Sequence, residues 1–240
     1  FRAGRRQQRV CERPVCLPGP GDVFRAVSKN TKTLMANWVT FGRFVLLFVL
    51  LAIIYSNDPA WQLINAPLTV FIIALDGVDG WVARRFGEES LFGATFDIAI
   101  DRIVETVLWV VLAHLGFIGV WIPLLFIIRG NLVDAIRSKG AATGTAAFDM
   151  MQSPVGRFLV AGRFMRGFYA VLKAVTFAWI LLWQPFDVVA PDFWAANGVW
   201  LSAIGLGLAW ASAAICVARG LPVIIEFCVN ARPGATRHKT

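Results

Sequence analysis

The chain has 240 residues, 58% of them hydrophobic, and a mean hydropathy of +0.65, which is too apolar for an ordinary soluble domain and reads as an integral membrane protein. Its 23 Lys and Arg against 15 Asp and Glu give a net charge of +8, which in such a chain marks cytoplasmic loops and anionic head groups rather than nucleic acid. Four cysteines without CxxC spacing read as free thiols, and two histidines without partners at ligand spacing argue against a zinc site.

Residues 1–21 form a basic arm rich in Pro and Gly, with no long apolar run of the kind a secretory signal carries. In residues 22–37, Val23, Phe24, Val27, Leu34 and Met35 alternate with Arg25, Lys29 and Lys32, the pattern of an amphipathic juxtamembrane helix on an anionic membrane surface. Six apolar spans follow, at roughly 38–55, 66–84, 92–115, 117–137, 160–183 and 195–218, each near the ~20 residues that cross hydrocarbon. The expected fold class is therefore all-α: six transmembrane helices over 38–220, preceded by the juxtamembrane helix and followed by a basic tail over 221–240.

The connections at 56–65, 115–119 and 184–197 contain no Lys or Arg, whereas the arm, the 84–91 turn, the 137–157 loop and the tail do. This alternation places both termini and the 84–91 turn on the cytoplasmic side of a multi-pass protein of the inner (cytoplasmic) membrane. At the start of the first span, Asn37, Thr40 and Arg43 recur at intervals of three and share one side of a helix.

The informative stretch is Leu75–Arg102, LDGVDGWVARRFGEESLFGATFDIAIDR, where four aspartates interrupt apolar sequence. Ionised carboxylates at membrane depth are costly and point to function. Asp76 and Asp79 lie three apart, with Gly80, Ala83 and Arg84 on much the same side, and Asp97 and Asp101 lie four apart. The polar segment Arg85–Leu91 suits a turn between two antiparallel helices, so that the four carboxylates converge at similar depth. Such a cluster repels itself unless cations occupy it, and oxygen-rich sites suit Mg²⁺ or Mn²⁺. Gly80 and Gly93 leave room for close backbone approach, and the fork of Arg84 fits phosphate. The combination suits a pyrophosphate.

The pattern Asp76-x2-Asp79-Gly80-x2-Ala83-Arg84-x8-Gly93-x3-Asp97-x3-Asp101 resembles the signature of the CDP-alcohol phosphotransferases (CDP-alcohol phosphatidyltransferases), all eight positions being present. The resemblance implies transfer of a substituted phosphate from CDP-diacylglycerol to an alcohol, with release of CMP. It implies that Asp76, Asp79, Asp97 and Asp101 hold two divalent ions, and that Asp101 also acts as general base. It further implies that Gly80, Arg84 and Ser90 contact the CDP moiety, with Ala83 and Gly93 at signature positions beside it. The Asn37, Thr40 and Arg43 element resembles one that precedes the signature and helps hold the nucleotide, and members are often homodimers.

Acceptor choice is less constrained. Arg129 lies inside the fourth span with Asp134 and Arg137 near its end, while Arg166 and Lys173 mark one stripe of the fifth, too deep at Lys173 for easy snorkelling. These cations suit a phosphorylated acceptor, with Arg129, Arg137, Arg166 and Lys173 as its subsite. Glycerol 3-phosphate is favoured; inositol phosphate fits as well, and serine or another small alcohol stays open. A cation transporter would also use acid pairs on adjacent helices, but leaves Gly80, Arg84 and Ser90 unexplained. A non-enzymatic membrane anchor leaves all four aspartates unexplained.

Overall fold

The computed structural model describes residues 40–86, 91–142, 158–159 and 162–230. The expected arm and juxtamembrane helix, and Asn37 with them, lie outside the described residues. Among the described residues there is no strand, and the principal elements are α1 (Thr40–Ile54), α2 (Pro59–Gln62), α3 (Asn65–Phe86), α4 (Leu91–His114), α5 (Trp121–Ala142), α6 (Arg163–Trp183), α7 (Phe186–Val189) and α8 (Pro191–Asn230).

Local chemistry sets several of these boundaries. Asp58 caps the short α2 by accepting from the Ala60 N–H at 2.9 Å, with Pro59 in the first turn. Helix α4 stops at Gly116, whose φ of 79° suits glycine. The Gly116 N–H donates to Ala113 O and the Phe117 N–H to Leu112 O at 3.0 Å, the paired bonds of a Schellman motif. This break separates the third and fourth apolar spans, which in sequence are almost continuous.

Helix α8 departs from expectation. It is 40 residues long and continues through Pro222 to Asn230, so the segment from 221, expected as tail, begins as helix. Its extension is held by packing: Val223, Ile224 and Phe227 meet Val133 and Ile136 of α5.

Helix α4 supplies much of the core. Its Ile100, Val104, Leu108, Trp109 and Leu112 are buried with Leu47, Leu50 and Ile54 of α1, Phe126 of α5 and Phe177 of α6. The Trp109 ring stacks on Phe126 at 4.5 Å and lies 4.6 Å from Phe177, tying three helices together. Around it, α5 packs along α8, and α6 packs against both α3 and α8. Small polar groups add interhelical bonds: Thr176 and Ser212 hydroxyls meet at 3.2 Å, and Gln184 joins Asn65 Nδ2 to Ile54 O.

The exterior is unusually apolar, with Phe48, Phe71, Ile98, Ile128, Val171, Val199 and Trp200 all exposed. Such a surface suits contact with lipid rather than water. Two stretches, Phe164–Val189 and Pro191–Cys228, are long and apolar enough to cross a membrane by length and composition. The other long helices, α3, α4 and α5, are interrupted by charged residues. Cys216 is a buried free thiol and Cys228 an exposed one; Cys11 and Cys16 lie outside the described residues.

Candidate active site

The signature is carried on two helices. Asp76, Asp79, Gly80, Ala83 and Arg84 lie on α3, and Gly93, Asp97 and Asp101 on α4; Ser90 falls in 87–90, outside the described residues. Both stretches are helical throughout, so the three- and four-residue spacings place each acid pair on one face. Thr40, the first residue of α1, is buried.

Arg43 of α1 joins this site. Its Nη1 donates to Asp97 Oδ1 at 3.3 Å, and its Nη2 lies 3.8 Å from Asp101 Oδ1. The guanidinium side chain is 1% exposed, whereas those of Asp97 and Asp101 are 37% and 51% exposed. A buried guanidinium is costly without anionic partners. These two carboxylates supply them and are themselves partly exposed. Carboxylate oxygens are the donor type that Mg²⁺ and Mn²⁺ take. Among the described residues no three His, Cys, Asp or Glu side chains are grouped to hold a metal; Asp76 and Asp79 stand on the preceding helix.

One turn deeper on α4, Glu105 continues the stripe of Asp97 and Asp101. Its Oε2 is 2.8 Å from Lys173 Nζ of α6 and 3.8 Å from Arg102 Nη1. Arg102 also makes a two-pronged pair with Asp134 of α5, Nε to Oδ2 at 3.2 Å and Nη2 to Oδ1 at 3.3 Å. Arg43, Asp101, Glu105 and Lys173 border a common cavity of about 120 Å³ between α1, α3, α4 and α6. A second cavity of about 170 Å³, between α4 and α5, is bordered by Arg102, Glu105, Asn131 and Asp134.

The remaining cations are spread more widely. Lys173 Nζ lies 4.6 Å from the Tyr169 ring centre, and Arg219 of α8 lies 5.1 Å from it. Arg219 is buried and donates to Met165 O at 3.2 Å. The stem of Arg129 fits against Gly220, and its buried Nε has no hydrogen-bond partner among the described residues. Arg166 is exposed on α6, and Arg137 lies on α5. Asp134, which in sequence sits closest to Arg129 and Arg137, faces Arg102 instead.

Glu105 and Arg219 are the polar residues sequence inspection missed. Glu105 had a local signal, since it lies four residues after Asp101 as Asp101 does after Asp97. Arg219 lies just past the span expected at 195–218, and its partners, Met165 and Tyr169 of α6, depend on how α6 and α8 pack.

Comparison with known proteins adds a family. The family model for CDP-alcohol phosphatidyltransferase matches residues 33–186. Over 79 residues the chain is 39% identical to "CDP-diacylglycerol--inositol 3-phosphatidyltransferase 1" of Arabidopsis thaliana, 33% of each chain being covered. It is 29% identical over 131 residues to the "Phosphatidylinositol phosphate synthase" of Corynebacterium glutamicum, covering 49% of this chain and 53% of that one. With "CDP-diacylglycerol--glycerol-3-phosphate 3-phosphatidyltransferase" of Sodalis glossinidius it shares 27% identity over 156 residues, 64% of this chain and 79% of that one. The matched stretch thus spans about a third of the Arabidopsis protein and about half of the Corynebacterium one.

Proposed function

Because the chain belongs to the CDP-alcohol phosphatidyltransferase family, we propose that it transfers the phosphatidyl group of CDP-diacylglycerol to the hydroxyl of a small phosphorylated alcohol and releases CMP. The observation that carries this is the buried Arg43 paired with Asp97 and Asp101, two partly exposed carboxylates of α4, of which Asp101 borders the cavity.

Asp76, Asp79, Asp97 and Asp101 would hold two divalent ions, Mg²⁺ or Mn²⁺. When bound, such ions neutralise charge on the CDP-lipid's pyrophosphate and on the phosphoryl group in transfer. Arg43 fixes the α4 carboxylates in place. Arg84 supplies a fork for phosphate, Gly80, Ala83 and Gly93 leave room for close approach, and Asn37, Thr40 and Ser90 complete the nucleotide side. Asp101 accepts the proton of the acceptor hydroxyl. The acceptor oxygen bonds to the lipid-side phosphorus, the bond from that phosphorus to the bridging oxygen breaks, and CMP leaves with its electron pair.

Arg129, Arg137, Arg166 and Lys173 form the acceptor side, where their charge favours a phosphate-bearing alcohol. Glycerol 3-phosphate, giving phosphatidylglycerophosphate, is the first candidate. An inositol phosphate is the second, supported by relatives whose names carry both chemistries; serine is a third. The apolar exterior and the Lys and Arg distribution support six membrane spans with the site and both termini cytoplasmic, and a homodimer fits the family. The cation transporter stays the rival from another class.

An acceptor panel decides among these: the purified full chain with CDP-diacylglycerol and Mg²⁺ receives glycerol 3-phosphate, inositol phosphate, inositol or serine, and CMP is measured. Release with a phosphorylated acceptor is expected. A preference for an unphosphorylated one would overturn the acceptor assignment.

A further inference from the structure

The Glu105–Lys173 pair has a property that a merely structural ion pair need not have: it borders the cavity shared with Asp101. Lys173 Nζ is held at 2.8 Å by Glu105 Oε2, with side chains 17% and 10% exposed. An ammonium has three donors. One is taken by Glu105 and the Tyr169 ring lies to one side, while the cavity adjoins the pair. The charged lining is balanced, with Arg43 and Lys173 against Asp101 and Glu105.

We propose that Glu105 is an internal competitor for the acceptor's phosphate, holding Lys173 until a phosphorylated acceptor takes the ammonium over, and so setting acceptor affinity and selectivity. This rests on the proposal above that the acceptor carries phosphate. An entering phosphate meets Glu105 twice over, as a rival for Lys173 and as a like charge whose side chain is only 10% exposed. Only an acceptor with further contacts offsets that repulsion, which is how a repulsive element rejects simple anions.

The exchange leaves no orphan. Glu105 keeps a second cation, Arg102 at 3.8 Å, and Arg102 is anchored by its two-pronged pair with Asp134. Without Arg102, releasing Lys173 would strand a buried carboxylate, at a cost that would forbid the switch. Glu105 is thus a positioning residue acting through Lys173, and its removal has an unusual sign. A structural pair, once broken, impairs the site; a competitor, once neutralised, opens it.

The test uses the full chain in detergent with CDP-diacylglycerol and Mg²⁺, comparing wild type with Glu105→Gln, which keeps an acceptor oxygen but removes the charge. The KM for glycerol 3-phosphate and the inhibition constant for inorganic phosphate should each fall about tenfold, the equivalent of roughly 1.4 kcal/mol, with the KM for CDP-diacylglycerol changed less than about twofold. In Lys173→Gln both constants should rise, and adding Glu105→Gln to that variant should recover only part of the gain. An unchanged or raised acceptor KM in a well-folded Glu105→Gln overturns the proposal. If that variant does not fold, Glu105→Asp, which retracts the carboxylate, should lower the same constants by a smaller factor; a rise would overturn it equally. Calorimetry of inorganic phosphate binding without CDP-lipid separates the two levels. Tighter binding in Glu105→Gln without transferase activity in wild type would sink the assigned function and keep the competitor; normal activity with unchanged phosphate binding would sink the competitor alone.

Discussion

Arg43 on the first described helix donates to Asp97 on the fourth at 3.3 Å, across 54 residues of chain, and reaches Asp101 with its other terminal nitrogen. One buried cation thus spans the spacing of the acid pair, and any divalent ion at these carboxylates shares them with it.

On the proposed metal assignment, stability should depend on metal. Arg43→Met should destabilise the chain in chelator by about 1–3 kcal/mol, below the full cost of breaking a buried pair because both acids are partly solvated. Adding Mg²⁺ should recover part of the loss, since the ion answers the same negative charge. Thermal melts of wild type and variant, with and without Mg²⁺, check this; a deficit independent of metal would separate Arg43 from the metal site.

Activity should require Mg²⁺ or Mn²⁺ and vanish in excess chelator. Asp76→Asn, Asp79→Asn and Asp97→Asn should each raise the metal concentration needed for half-maximal rate as well as lower turnover. Metal titrations of the three variants measure both effects together.

Asp101→Asn should act differently. A base takes the acceptor proton in the transition state, so its loss should lower kcat by about a hundredfold or more while affinity for the CDP-lipid changes little. Steady-state kinetics with CDP-diacylglycerol varied at saturating acceptor separates the two. Loss of nucleotide binding would make Asp101 a ligand only.

Gly220 and Arg129 should be coupled. A Cβ at Gly220 would lie 2.6 Å from Arg129 Cγ and 3.0 Å from Nε, the middle of the side chain rather than its mobile end. Gly220→Ala should therefore cost about 1–3 kcal/mol by overpacking. In an Arg129→Ala background the clash is gone and alanine's helix propensity, worth up to about 1 kcal/mol, should make the same change neutral or stabilising. A double-mutant cycle by thermal unfolding measures this coupling.

The helical character and the eight-residue signature were legible in sequence because both depend on local periodicity: apolar runs of span length, and acids at intervals of three and four. The α4–α5 break was faint in composition, yet one glycine, Gly116, makes it through a positive φ and two backbone bonds. The extension of α8 beyond the span expected at 195–218 depends on packing of Val223 and Phe227 against α5, with Pro222 inside the helix, and no local spacing signals it. The partner of Lys173 was out of reach for another reason. Its depth on α6 demands an anion, but which acid answers it depends on how α4 and α6 pack, and no local spacing carries that information.

The most direct measurement is CMP release from CDP-diacylglycerol by the purified full chain, with Mg²⁺ and glycerol 3-phosphate each present or absent, together with mass analysis of the lipid formed. Transfer at the signature carboxylates predicts CMP only when metal and acceptor are both present, matched mole for mole by a phospholipid that retains the diacylglycerol and carries the acceptor. CMP release that needs no acceptor from the whole panel, or no release accompanied by divalent-ion flux in proteoliposomes, would contradict it.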